Sequence, residues 1–205
     1  MVIDIHIHEK THSNDSKINL KQIVEEAKRK GLDGICITDH DSNALYRYAQ
    51  NYQKKCGFLI LVGAEIFTYE GDILVYGSRE LPKKKVHAQE LLNLVRQSGG
   101  VGIGAHPHRD NNRGIGDNML SLNHLDGVET FNGRTKERDN LMTLRLSKRH
   151  DIPGFGGSDA HALQEVGTIA TRFYETIENE SAFIRGVKSK RFEPVAYINN
   201  GYESI

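Results

Sequence analysis

The sequence predicts an α/β protein in which strands and helices take turns along the chain. Short apolar runs of strand length recur from end to end. Most are followed by a segment with helical periodicity and a capping residue. Several of the ten histidines stand just beyond an apolar run, where a strand would end. Strands separated by full helices imply parallel pairing and right-handed crossovers. In such folds chemistry collects at the C-terminal ends of the strands. Periodicity alone admits either a small barrel or an open doubly wound sheet.

The elements follow in order. "VIDIHIH" (2–8) is a strand in which Ile3, Ile5 and Ile7 alternate with Asp4, His6 and His8, so the three polar residues share a face. After the polar loop "EKTHSNDSK", residues 19–31 predict a helix with Asn19 as N-cap, Ile23, Val24 and Ala27 on one face, and Gly31 as its stop. "GICITDH" (34–40) is a buried strand, and 42–55 a helix capped by Ser42 or Asn43. "FLILVGAEIFT" (58–68) is a third strand, and "DILVYGS" (72–78) its hairpin partner or a further strand. Residues 87–100 form a helix, 101–107 and 127–133 strands, and 136–151 a helix. Strands at 154–161 and 167–174, a helix over 178–192 and the strand-like "EPVAYI" (193–198) complete the chain. No repeat or linker interrupts it, so residues 1–205 read as one domain.

Formal net charge is zero, which argues against a general attraction to nucleic acid or anionic lipid. The basic runs at 82–85 and 188–192 read as solvated surface, and long nucleic acid is not an expected partner. Of two cysteines, Cys36 lies in an apolar run and reads as a small hydrophobe. A reducing, cytoplasmic setting is expected. No apolar run is long enough to span a bilayer, and the N-terminus lacks a signal-peptide layout.

The strand ends carry an unusual set. The first delivers His6 and His8, the second Asp39, His40 and Asp41, the third Glu65. "VGIGAHP" delivers His106, with His108 and Arg109 after it. "VETFNG" delivers Asn132, and "GSDAH" Asp159 and His161; the first loop adds His12 and Asp15. Glu65, between Ala64 and Ile66, is a buried carboxylate that demands a partner. Imidazoles and carboxylates meeting at one rim would desolvate and repel one another unless a cation held them. A tetrahedral site takes about three or four protein ligands, so two or three metals fit the count. Nitrogen and oxygen ligands without thiolate suit Zn, Mn or Fe, rather than Ca or Mg alone.

The ordered motifs "HIH … SNDS … ITDHD … GAEI … AHP … GSDAH", from residue 4 to 161, closely resemble the PHP family, named for polymerase and histidinol phosphatase. That resemblance implies a distorted (β/α)7, TIM-like barrel, the PHP fold. It also implies a centre of two or three metals whose bridging hydroxide attacks phosphorus in a phosphoester. By the same resemblance His6, His8, Glu65 and Asp159 hold one metal, and Asp15, His40 and His161 another. Glu65 bridges to a third position with His106. A further family histidine between Glu65 and His106 has His87 as its sole candidate. His87 stands at a helix start beside "PKKK", which equally suits a surface residue. His12 departs from the serine usual near its place and reads as supporting or incidental.

His161, Asp159 and His40 are the candidate catalytic residues. Arg109, Arg113, Asn132 and Arg134 are the candidate substrate contacts, because a guanidinium fork matches phosphate oxygens. The expected substrate is a small phosphomonoester or nucleotide. Three rival readings exist. An amidohydrolase shares the opening HxH, but the short chain, "TDHD" and "DAH" speak against it. A nuclease-like enzyme would act on short oligonucleotides. A non-catalytic module would show broken ligand sets, and most of the set is intact.

Overall fold

Every residue from Met1 to Ile205 is described by the computed structural model. β1 (Val2–Ile7) is the strand on which the fold turns, and Ile3 to Ile7 are buried on both faces. β2 (Gly34–Ile37) and β3 (Leu59–Val62) extend it in parallel. The helices α1 (Leu20–Arg29) and α2 (Tyr46–Cys56) supply the crossovers and pack their apolar sides on this part of the sheet. Asn19 caps α1 as predicted: its side chain accepts from Gln22 N, and the Gln22 side chain returns the bond. The predicted cap of α2 is wrong. That helix begins at Tyr46 with no side-chain cap, because the Asn43 side chain is drawn away to the carbonyls of Ser78 and Arg79.

The apolar run 58–68 is two strands, not one. β3 stops at Val62 and β4 (Ala64–Phe67) begins a second sheet, with Gly63 between them. A Cβ on Gly63 would lie 2.4 Å from the Val75 carbonyl oxygen, so only glycine lets the backbone pass there. β5 (Asp72–Tyr76) turns back antiparallel to β4, as a short turn requires, and β6 (Val101–Gly104) is antiparallel to β5. The helix α3 (Ala88–Gln97) lies between β5 and β6, and parallel β7 (Gly127–Asn132) and β8 (Gly154–Gly157) follow, joined by α4 (Glu137–Arg149).

The two sheets meet again at β1. Its first residues pair antiparallel with β9 (Ile169–Phe173), but its end is taken by the segment after β8. There Asp159 N donates to His6 O at 2.7 Å and His8 N to Ala160 O at 3.0 Å. β1 to β3 and β4 to β8 thus lie in two sheets, which meet at Gly63 and where the end of β1 takes the segment after β8; counting β3 with β4, this is the seven-position order of a distorted (β/α)7 barrel. The distortion is the reversed β5 and the break at Gly63. Apolar side chains from six strands, among them Ile5, Cys36, Leu61, Leu74, Ile103 and Phe155, fill the interior. The Tyr76 hydroxyl donates to Ile5 O across it.

After β9, the helix α5 (Glu180–Ser189) leads to β10 (Phe192–Ile198) and β11 (Gly201–Ser204), which extend the first sheet in antiparallel fashion. β11 is absent from the sequence reading. Asn199 and Asn200, both at positive φ and followed by Gly201, form a tight hairpin turn whose composition announces a returning strand. No helix is long and apolar enough to cross a membrane.

Candidate metal centre

All the strand-end residues that alternate onto the inner face converge above the apolar interior. His6 and His8 come from the end of β1, His40 from beyond β2, and Glu65 from β4. His106 follows β6, and Asp159 and His161 follow β8. Asp15, in the first loop, reaches His40 Nε2 at 3.3 Å and His161 Nε2 at 3.1 Å. Glu65 is the hub: its oxygens lie 2.8 Å from His40 Nδ1, 2.9 Å from His106 Nε2, and 3.6 Å from both His6 Nε2 and His8 Nε2. Ligand atoms of His8, His40 and His161 lie within 4.8 Å of one another, as do those of His6, His8 and Glu65, of His6, His106 and Asp159, and of Glu65, Asp72 and His106. His106 and Asp159 hold positive φ (32° and 56°), conformations that non-glycine residues adopt only when their surroundings impose them.

What these residues fit is decided by their outer partners. His6 Nδ1 donates to Glu129 Oε1 at 2.9 Å, and His161 Nδ1 donates to the Asp159 carbonyl at 2.8 Å. Ser13 Oγ gives its proton to Asp39 Oδ1 (2.9 Å), so it can only accept from His8 Nδ1, at 3.3 Å. Each neutral ring therefore carries its proton on Nδ1 and turns a bare Nε2 lone pair inward. His6 Nε2 and His8 Nε2 face each other at 3.0 Å. Two lone pairs so placed repel unless something positive lies between or beside them. His40 Nδ1 and His106 Nδ1 are buried without any aligned hydrogen-bond partner. A divalent cation answers the opposed lone pairs, and pinned tautomers are how proteins orient imidazole ligands toward one. The donor set, imidazole nitrogen and carboxylate oxygen, suits a divalent metal ion.

The electrostatics agree. Burial opposes charge on His6, yet Glu129, Asp159 and Glu65 together lift its pKa well above that of a free imidazole. Burial pushes His8 down to about 4. Burial also works against ionised Glu65 and Asp159, but the surrounding imidazoles hold both well below the usual carboxylate range, with Arg109 adding to the hold on Asp159. With no metal bound, a proton on His6 relieves the crowding; a divalent ion relieves it for every group at once.

Above the cluster opens a cleft of about 300 Å³ lined only by polar residues, including Arg109, Arg113 and Arg134. Arg109 Nη2 bridges Asn132 Oδ1 and Asp159 Oδ2, each at 2.5 Å. Asn132 does not itself face the cleft. It is buried, and its side chain is spent on Glu129, Arg109 and the Arg134 backbone.

His87 stands apart from the cluster. It precedes α3, is 67% exposed, and its ring bonds Glu70 at 2.7 Å and packs on Tyr69. The cap position of a surface helix leaves it no path to Glu65. His108 is likewise engaged outside the ligand set, with Thr143 and Asp117. Asp39 and Asp41 turn away to backbone N–H groups of Glu9 and Phe67. Sequence reading missed two residues. Glu129 is a fully buried carboxylate within an apolar strand, the same signal that exposed Glu65. Asp72, also fully buried, passed for part of a turn; its carboxylate lies 3.8 Å from His106 Nε2 and is gripped by Arg113.

The family described as "PHP domain" matches residues 4–152, and that described as "PHP-associated" matches residues 137–192. An uncharacterized protein of Methanocaldococcus jannaschii is 31% identical over 159 residues, 72% of this chain and 91% of its own. A protein of Caldicellulosiruptor saccharolyticus named as a probable phosphatase is 27% identical over 198 residues, 78% of this chain and 81% of its own. A crystal structure from Bifidobacterium adolescentis, assigned as a metal-dependent phosphoesterase, superposes with a TM-score of 0.68. It covers 92% of this chain and 96% of its own at 19% identity, a likeness of fold.

Proposed function

The chain belongs to the PHP domain family, and because it shares its fold with proteins described as metal-dependent phosphoesterases we propose that it hydrolyses a small phosphomonoester or nucleotide. The observation that carries this reading is the opposed pair His6 Nε2 and His8 Nε2, 3.0 Å apart with both Nδ1 protons fixed elsewhere. Divalent ions, when bound, supply Lewis-acid charge and an activated water for attack on phosphorus.

The remaining work falls to the chain's own residues. His6, His8, Glu65 and Asp159 would hold one ion, and Asp15, His40 and His161 another. Asp159 divides its carboxylate: Oδ1 faces His6 and His8 at 3.6 and 3.3 Å, while Oδ2 is held by Arg109. Held by Arg109 on one oxygen and turned to the ion site with the other, it would stay ionised and serve as a ligand, not as a proton donor. His161, at the cleft wall, gives its Nδ1 proton to the Asp159 carbonyl and turns Nε2 inward, so it too would serve as a ligand and not as a proton donor. Arg109, Arg113 and Arg134 would meet phosphate oxygens and neutralise charge developing at phosphorus. The absence of any apolar wall favours a compact, highly polar substrate over one recognised by stacking.

The test is a phosphate-release screen on protein loaded with Mn2+, Zn2+ or Fe2+. Phosphomonoesters, nucleotides and short oligonucleotides are run beside a panel of amides and lactones. Release of phosphate from the first group is expected. Turnover confined to the amides and lactones would reject the phosphoesterase reading in favour of an amidohydrolase.

A further inference from the structure

We propose that Arg113 supplies the third positive charge of this centre, so that the chain holds two divalent ions and not three. The inference rests on the reading of the cleft as a metal centre and deepens it.

Glu65, Asp72 and His106 form the third ligand group, with ligand atoms within 4.8 Å of one another. Two buried carboxylates and an imidazole in one place need a cation. That cation is already present. Arg113 Nε donates to Asp72 Oδ2 at 2.6 Å and Nη2 to Asp72 Oδ1 at 2.9 Å, the two-pronged geometry of the strongest Arg–carboxylate pairs. The same Nη2 lies 3.9 Å from Glu65 Oε2. One guanidinium thus pairs with Asp72 and stands within ion-pair reach of Glu65. A metal added there would press against a charge that cannot be given up, because an arginine does not deprotonate.

Arg113 is placed by its loop and not by chance of a long side chain. Asp72 N donates to Arg113 O at 2.7 Å, so the two residues are joined by backbone as well as by side chain. Asn111 Oδ1 accepts from Arg113 N at 3.1 Å, and the Phe67 ring supports the guanidinium at 4.5 Å. The loop lies flush on the β4–β5 turn: a Cβ on Gly71, at φ 142°, would come within 2.5 Å of Ile115 N. Arg113 is 33% exposed and lines the cleft, and its Nη1 has no acceptor within the protein. It therefore offers a phosphate oxygen the charge that a third metal would otherwise bring, at any metal concentration.

Metal counting tests this directly. Protein is titrated with Mn2+ under anaerobic conditions and the stoichiometry read by calorimetry, with mass spectrometry of the loaded chain as a check. Two ions per chain are expected for the wild type and for Arg113→Lys, which keeps the charge. Three are expected for Arg113→Met and Arg113→Gln, which vacate it. The glutamine variant retains a hydrogen bond to Asp72, should the methionine variant not fold. Three ions in the wild type, or two in a folded neutral variant, would overturn the proposal while leaving the phosphoesterase reading intact. A wild type that binds no Mn2+, Zn2+ or Fe2+ would sink both.

Discussion

Glu129 Oε1 accepts the Nδ1 proton of His6 at 2.9 Å, and that bond decides which nitrogen of His6 looks into the cleft. The other oxygen of Glu129 accepts from His106 N at 2.9 Å and from Asn132 Nδ2 at 2.8 Å. A single carboxylate that ligates nothing in the proposed sets thereby orients two proposed ligands.

Glu129→Gln should weaken metal binding while leaving the fold in place. The new amide NH2 group must face a donor, either His6 Nδ1–H or the His106 and Asn132 N–H groups, so one ring loses its orientation. A fall of about 10–100-fold in Mn2+ affinity is expected, in line with other outer partners of metal ligands. Competition with a chelator measures it; unchanged affinity would show that Glu129 is a packing residue only.

Gly157→Ala should have a similar effect without altering any polar group. A Cβ at this position would stand 2.3 Å from Glu129 Oε1 and 2.8 Å from His6 Cβ. Either the carboxylate moves off His6 or β8 moves off β1. Metal affinity should drop, accompanied by a stability loss of about 1–3 kcal/mol for overpacking, read by urea denaturation.

Ser13→Ala strips three partners at once. Ser13 Oγ accepts from His8 Nδ1 and from His40 N (3.2 Å), and donates to Asp39. Stability should fall by about 1–3 kcal/mol, the cost of buried polar groups left unmatched. Metal affinity should fall with it, because His8 is freed to choose the wrong tautomer. Ser13→Thr, which keeps the hydroxyl, should recover most of the affinity if the hydrogen bonds matter.

Asp159→Ala and His40→Ala should each reduce phosphate release to background. Circular dichroism should stay that of the parent, since neither side chain is part of the apolar interior. Full activity in both variants would reject the site assignment.

Removal of metal should lower Tm, and Mn2+ should restore it. An ion that binds only the folded chain adds about 2.7 kcal/mol at one hundred times its Kd. Differential scanning calorimetry before and after chelation reads the shift; a Tm indifferent to both treatments would argue that no ion is held by the folded state.

The strands, most helices and the rim of ligands were legible because they rest on local rules. Alternation in "VIDIHIH" needs only the period of a strand, and Asn19 with Gln22 needs only a capping box. Glu65 betrayed itself as a charge in an apolar run. Glu129 showed the same signal and was passed over, and Asp72 was hidden by a turn-like neighbourhood. The break at Gly63 was not visible, because an apolar run of that length is also what one long strand looks like. His87 entered only through the family resemblance, as the one histidine between Glu65 and His106, and its place at a helix start already suited a surface residue.

Residue by residue, then, the chain's own chemistry settled that imidazoles and carboxylates would cluster at the ends of strands in an alternating α/β fold. What it left open were the properties that exist only between residues remote in sequence: the closing of β1 on the segment after β8, the tautomer that Glu129 imposes from 123 positions away, and the guanidinium that Arg113 lays across Asp72. Side-chain type and spacing are local quantities. The direction of a lone pair, and the charge that answers it, depend on which distant backbone the folded chain brings within about 3 Å.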